Sequence, residues 1–224
     1  MHKKIFSFIS ILFILISLTA CNRGEKYSIQ DKITEEIKYI ENGMIGIIEE
    51  ISISDSNNID FDKLMGDTRK IEEASNRMMV DLASQNIDNK EITNFSDGIN
   101  KMIIEASNQD EIRYLVELNN VFSLFPNFVA KISSDSENIF ERRLKYYTVS
   151  SYISFLIGDK DLSKTQIYTL EKEYLDKQKD IKYVEEHKYN INKIYLLIEE
   201  LKKAIENDNS ELVKEKYLLL INEI

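Results

Sequence analysis

Large aliphatic residues recur at alternating spacings of four and three near the start of the chain, and this spacing constrains the fold most. One such series is Ile33, Ile37, Ile40, Met44, Ile47 and Ile51. Side chains at these spacings share one face of an α-helix. The 224 residues include only one proline and six glycines, which strand-and-turn proteins need at their corners. The sequence therefore predicts an all-α protein.

Helix starts are predicted where Asp, Asn or Ser precedes a helical run, because a short polar side chain can accept a hydrogen bond from a free backbone N–H. The predicted starts are Asp60, Asp88, Asn108, Ser134 and Asp208. Pro126 is expected to kink or end the helix that contains it, and Gly158 with Asp159 is expected to end another and turn the chain.

Residues 162–207 contain neither glycine nor proline. This stretch is predicted to form one long helix or two that meet near Asp180, and typical helix lengths favour two. About seven to eight amphipathic helices with short connections predict an antiparallel bundle or a stack of helical hairpins. One all-α domain is expected over residues 30–224.

The first twenty residues have the layout of a secretory signal. Lys3 and Lys4 precede the apolar segment 5–18, and a run of small residues follows. The apolar segment is shorter than the roughly 20 residues of a transmembrane helix. Residues 1–20 are therefore predicted to be a signal peptide that is removed, and residues 21–29 a flexible tether.

The predicted cleavage site resembles the lipobox of bacterial lipoproteins. Its residues are Leu18, Thr19, Ala20 and Cys21. The resemblance implies cleavage after Ala20 and attachment of a diacylglyceryl group, with acyl chains such as palmitate, to the Cys21 thiol. Cys21 is the only cysteine in the chain, so no partner exists for an intrachain disulfide. The expected location is the extracytoplasmic face of the cell membrane, held by lipid.

The charge of the mature chain bears on its partners. Cleavage removes Lys3 and Lys4 but no acidic residue, so 29 basic residues become 27 against 39 acidic ones, a net charge of −12. Nucleic acid is excluded as a partner because phosphate binding needs a basic surface. The same charge keeps the protein body away from anionic lipid.

Residues able to carry out catalysis are scarce. The mature chain has a single histidine, His187, which lies among Glu185, Glu186 and Lys188 and is interpreted as a surface residue. No nucleophile motif, phosphate-binding loop or metal-ligand spacing is present. The sequence predicts a protein that is not an enzyme and has no cofactor, catalytic site or metal site.

Aromatic residues concentrate on both sides of Pro126. The proposed ligand groove comprises Phe122, Phe125, Tyr146, Tyr147 and Tyr152. If the helices that carry these residues pair, the groove could hold a small apolar or peptide ligand. The alternative, favoured by the helical spacing of most of these residues, is that they simply fill the core.

Two resemblances add to this interpretation. Residues 146–174, with the bend at Gly158 and Asp159, resemble a tetratricopeptide-type hairpin. The segments 188–195 and 92–100, with a final helix containing Tyr217, are similar to an uncharacterised family of small helical lipoproteins of Gram-positive, clostridial type. That likeness implies a helical fold at the outer face of a single membrane and no known activity.

Two functions are predicted from different classes. The first is a non-enzymatic interaction or scaffold lipoprotein that presents a helical surface to another envelope protein. The second is a binding module that uses the aromatic groove. A scaffold predicts a filled core and exposed apolar side chains, whereas a receptor predicts a pocket lined by tyrosines. A two-lobed solute receptor is disfavoured because the α/β alternation of such proteins is missing.

Overall fold

The computed structural model describes residues 28–54, 59–85, 87–186 and 190–224, and over these ranges the protein is an all-α helical bundle. The helices are α1 (Ile29–Ile53), α2 (Phe61–Ser84), α3 (Asn89–Ser107), α4 (Glu111–Phe122), α5 (Phe125–Ile132), α6 (Ser136–Leu156), α7 (Lys160–Lys177), α8 (Ile181–Glu186), α9 (Ile191–Glu206) and α10 (Ser210–Ile221). The predicted signal peptide, Cys21 and His187 lie outside the described residues.

Short polar side chains begin most of the helices. The capping residues, whose side chains accept a backbone N–H of the first turn, are Ser28, Asp60, Asp88, Asp110, Asp135, Asp159 and Asn209. The predicted starts at Asp60 and Asp88 are confirmed. Because Ser28 caps α1 and Ile29 begins it, these two residues belong to the helix rather than to the predicted tether.

The predicted starts at Asn108, Ser134 and Asp208 are wrong by one or two residues. Asn108 ends α3, and Asp208 has a positive φ of 54°. In each case a residue closer to the helix provides the cap. Asn and Asp also favour helix ends and left-handed turns, so sequence spacing alone does not distinguish these roles.

Three connections share one geometry. A single residue with positive φ separates the end of one helix from the capping residue of the next at Gln109, Gly158 and Asp208. This left-handed residue reverses the chain within a few residues, so α3–α4, α6–α7 and α9–α10 form tight hairpins. The predicted turn at Gly158 and the hairpin from α6 to α7 are therefore confirmed.

The remaining helix boundaries to compare with prediction lie at Pro126 and within residues 162–207. Helix α4 ends at Phe122, and Pro126 lies in the first turn of α5, as predicted. The expected break near Asp180 is confirmed, but a further break before Ile191 makes three helices instead of one or two. Packing accompanies this break, because Tyr183 of α8 contacts the Phe140 ring edge-on and the Tyr174 hydroxyl donates to the carbonyl of Ile191.

Helix α6 lies at the centre of the molecule. It packs against α4, α5, α7 and α10, and all seven residues from Thr148 to Ser154 are buried. A helical segment that is covered on every side has no solvated face, and the small hydroxyl residues of this segment let the neighbouring helices approach closely. The Ser163 hydroxyl of α7, for example, donates to the carbonyl of Ser151 at 2.8 Å.

Candidate functional site

Three of the five residues predicted to form an aromatic groove lie in the core. Phe122, Phe125 and Tyr152 are at most 1% exposed. The Phe125 ring meets the rings of Phe95 and Phe122 edge-on, with centroid separations of 5.8 and 5.5 Å. These geometries are typical of packed aromatic cores, so Phe122 and Phe125 connect α3, α4 and α5 and do not line a cleft.

Tyr152 has partners for both its ring and its hydroxyl. Its ring stacks on Tyr217 of α10 with centroids 4.0 Å apart, and its hydroxyl donates to the Ser52 hydroxyl of α1 at 2.9 Å. Burial raises the pKa of both tyrosines, so both remain neutral phenols. Tyr152 thus joins α1, α6 and α10 and is not available to a ligand.

Tyr146 and Tyr147 are the two predicted groove residues that do line a cleft. They are half-buried, and their ring centroids are 5.2 Å apart with planes tilted by 46°. The cleft lies between α5 and α6 and has a volume of about 390 Å³. Its lining residues are Ser123, Pro126, Asn127, Ala130, Ile139, Arg143, Tyr146 and Tyr147.

The groups that line this cleft can make hydrogen bonds and apolar contacts. Burial raises the pKa of Tyr146, so its phenol stays protonated and can donate or accept a hydrogen bond. Arg143 is already paired with Glu173 of α7. Asn127 adds an amide, and the tyrosine rings offer apolar faces. Sequence reasoning missed Asn127 and Arg143 because polar residues on a helix usually mark its solvated face.

A second groove, between α1 and α2, has a volume of about 470 Å³. It is lined by Tyr39, Asn42, Gly43, Gly46, Ile47, Glu50, Asp67, Lys70 and Ile71. With glycine at positions 43 and 46, α1 contributes no side chain to this part of the groove, and the adjoining Ile47 and Ile71 are each 2% exposed. Sequence reasoning did not single out this groove. The available signal was the pair of glycines three residues apart inside a strongly periodic helix, where glycine is unfavourable.

Among the residues that the structure describes, the most deeply buried charges are a pair between α1 and α6. Glu41 is fully buried and Arg142 is 4% exposed, and an Arg142 Nη1 group donates to Glu41 Oε2. The second carboxylate oxygen of Glu41 and the Nε of Arg142 have no hydrogen-bond partner. Burial raises the pKa of Glu41 to about 7, against the opposing pull of Arg142 and Lys145.

The Glu41 carboxyl makes stability depend on pH in a defined direction. Its pKa rises from 4.5 in the unfolded chain to about 7 in the folded one, so between these values the folded state holds the proton more tightly. The Glu41 contribution to the free energy of unfolding therefore decreases as pH rises through this window and is constant above it. The expected decrease is about 3 kcal/mol.

Urea unfolding at about pH 5 and about pH 8 measures this effect, with Glu41→Gln as the matched control. The neutral amide cannot titrate, so the difference in unfolding free energy between wild type and variant should change with pH by the expected amount. A difference that is the same at both pH values would contradict the raised pKa of Glu41.

Over the described ranges, no three His, Cys, Asp or Glu side chains are grouped so that they could hold a metal ion. None of the helices there has both the length and the apolar character needed to span a bilayer.

In comparisons with protein-family models, curated proteins and solved structures, no match to this chain was found.

Proposed function

We propose that this protein is a lipoprotein, tethered through lipid on Cys21 to the extracytoplasmic face of the cell membrane, whose helical domain serves as a non-enzymatic scaffold for another envelope protein. The main observation in favour of the scaffold role is the burial of the aromatic residues. Phe122, Phe125 and Tyr152, which a receptor would need in its pocket, fill the core instead. Binding capacity then resides on the outer surface.

Exposed apolar side chains support a protein partner. Leu212 and Leu219 of α10 are 42% and 48% exposed and lie seven residues apart, on one face of the helix. Leu196 of the neighbouring α9 is 56% exposed. Exposed leucines set among charged residues, here Glu215 and Lys216 on the same stretch of α10, can anchor a protein partner, and the net charge of the mature chain favours such a partner over anionic lipid.

The Tyr146–Tyr147 cleft supports a second candidate function, the binding of a small apolar or peptide ligand. Its two half-buried rings, the adjacent Pro126 and the amide of Asn127 combine apolar contact with a few hydrogen-bonding groups, as ligand sites commonly do. Under this alternative the protein is a tethered receptor, with Tyr147 a principal ligand contact.

The tether is tested by expressing the full chain with its leader in a Gram-positive host, beside Cys21→Ala and the control Asn22→Ala. Intact mass and membrane fractionation are measured for each. We expect wild type and Asn22→Ala to gain the mass of a diacylglyceryl group and to stay with the membrane. Cys21→Ala should lose both properties, because it has no thiol to modify. An unlipidated, freely secreted wild type would refute the tether.

The same cells test the scaffold role by crosslinking. A photoreactive residue placed at Leu219 should give a discrete adduct with one envelope protein, whereas the same residue at Lys203, on the exposed surface of α9, should give less. If adducts are equally diffuse from both positions, or if a ligand bound at Tyr147 is recovered instead, the receptor becomes the better description.

A further inference from the structure

We propose that the envelope protein that contacts the exposed leucines of α9 and α10 is a second copy of this chain. This inference rests on the proposed scaffold function and names its partner. The α9–α10 face, through which the two copies meet, comprises Lys193, Leu196, Glu200, Lys216, Leu219 and Glu223.

Each of the two helices places one exposed leucine between two charged residues of opposite sign. The leucine is three residues from one charge and four from the other, so all three side chains share one side of the helix. The two series are Lys193, Leu196 and Glu200 on α9, and Lys216, Leu219 and Glu223 on α10.

Ion pairs join the two series at both ends. Lys193 of α9 bonds to Glu223 of α10, and Lys216 of α10 bonds to Glu200 of α9 at 3.1 Å. The four charges therefore alternate in sign around a rectangle. The two leucines, which are 56% and 48% exposed, lie in the middle of this rectangle.

A rectangle of charges that alternates in sign is complementary to itself. Two identical subunits are most commonly related by a two-fold axis. If the axis runs along the α9–α10 seam, Lys193 lies over the partner's Glu223, and if it runs across the seam, Lys193 lies over the partner's Glu200. Each cation meets an anion in both arrangements, and the leucines of the two copies meet at the centre.

The distribution of net charge along the chain also favours contact through this face. Residues 28–107 carry 17 acidic and 8 basic side chains, a net charge of −9, whereas residues 191–224 carry 7 acidic and 5 basic ones, a net charge of −2. Like charges on two copies repel each other. The helices α1–α3 of two copies are thus kept apart, and association through α9 and α10 is opposed much less.

The size of the face determines how the contact is best detected. Helix α9 has 16 residues and is about 24 Å long, and two adjacent helices are about 20 Å wide. A dimer through this face buries about 1,000 Å² in total, which is near the lower limit for specific interfaces. Such a dimer is weak and reversible, so the test traps it by crosslinking.

The test uses full-length chains that carry two different affinity tags and are expressed in the same cells, with a photoreactive residue in place of Leu196. A charge-swapped variant reverses the four charges of the face and keeps both ion pairs within the chain. Two swapped chains should form as much two-tag adduct as two wild-type chains. One swapped and one wild-type chain should form at least tenfold less, because every contact then joins like charges. The substitutions are Lys193→Glu, Glu200→Lys, Lys216→Glu and Glu223→Lys.

The matched control exchanges two ion pairs in the same way between α1 and α2, where Arg77 bonds to Glu36 and Lys63 bonds to Glu50. A mixture of this variant with wild type should keep the wild-type yield of two-tag adduct, because its α9–α10 face is unchanged.

A single substitution tests the apolar centre of the face independently. Leu219→Glu changes a side chain that is 48% exposed, so the fold should tolerate it. It should lower the yield of two-tag adduct at least tenfold. Ile112→Glu, at a position of α4 that is 58% exposed, should not.

The outcomes separate this inference from the proposed function. A discrete adduct between position 196 and a different envelope protein would overturn the inference and leave the scaffold role in place. Two-tag adducts of equal yield in matched and mixed pairs would mean that the copies meet elsewhere, which would also overturn it. Diffuse adducts alone would overturn both.

Discussion

Replacing Arg142 with methionine is expected to lower the free energy of unfolding by about 3–5 kcal/mol above pH 7, among the largest effects of any single substitution here. Arg142 is 4% exposed, and its guanidinium donates to the fully buried Glu41. Methionine keeps much of the side-chain volume but leaves the Glu41 carboxylate without its counter-charge. The other cation that acts on this carboxylate is Lys145, whose ammonium already bonds to Glu141 at 2.9 Å.

The double variant Glu41→Leu with Arg142→Met provides the decisive comparison. Replacing both members of a buried ion pair with apolar residues of similar volume is often neutral or stabilising. We therefore expect the double variant to unfold within about 1–2 kcal/mol of wild type, so the two substitutions should be strongly non-additive. Urea unfolding of wild type, Glu41→Leu, Arg142→Met and the double variant gives the coupling energy.

The pH dependence of the Arg142→Met effect is a second test of whether Arg142 acts by balancing the charge of the Glu41 carboxylate. Near pH 5, Glu41 is protonated in the folded protein because burial raises its pKa to about 7. The loss of stability should then be smaller than at pH 8, since a neutral carboxyl does not need a counter-charge. If Arg142→Met destabilises the protein equally at both pH values, or if the double variant is as unstable as the single one, the pair does not act as described.

This ion pair also shows where sequence reasoning stops. Glu41 lies between Ile40 and Met44 on a helix whose inward face the spacing predicted well, but an acidic residue on an amphipathic helix is ordinarily assigned to solvent. Arg142 is 101 residues away. Only the tertiary packing of α1 on α6 shows that both are buried, and no local pattern contains that information.

Local features, in contrast, could be predicted. The helical class, the break at Pro126, the turn at Gly158 and the caps at Asp60 and Asp88 depend on short-range sterics and hydrogen bonds. The errors at Asn108, Ser134 and Asp208 arose where neighbouring polar residues competed for one cap. The break before Ile191 was missed because the contacts that accompany it, of Tyr174 and Tyr183, are made with residues of other helices.

The predicted aromatic groove meets the same limit. Helical spacing identified aromatic residues on α4, α5 and α6, but it could not distinguish those that point into the core from those at its edge. Tyr146 and Tyr147 line a cleft, whereas Phe122, Phe125 and Tyr152 are buried. Helix α6 is covered on several sides, so periodicity along it carries little information about exposure.

The buried aromatic residues and those that line the cleft should differ in how much free energy of unfolding is lost when one is replaced with alanine. Phe125→Ala represents the buried group. Phe125 is fully buried, and its ring contacts Phe95 and Phe122 edge-on. Its removal leaves a cavity at the junction of α3, α4 and α5, and the expected loss is about 3–5 kcal/mol. Tyr147→Ala is the matched comparison, because this ring is half-buried beside an open cleft and its loss should cost about 1 kcal/mol.

Urea unfolding of both variants measures this contrast, and the result bears on the two proposed functions. If Phe125→Ala is severely destabilised while Tyr147→Ala is not, only Tyr147 can be altered to test ligand binding in a folded protein. Retention of the envelope-protein adduct by Tyr147→Ala would then favour the scaffold, because the receptor depends on the cleft. Equal and small losses from both substitutions would contradict the placement of Phe125 in a filled core, and the larger aromatic groove would again be a plausible ligand site.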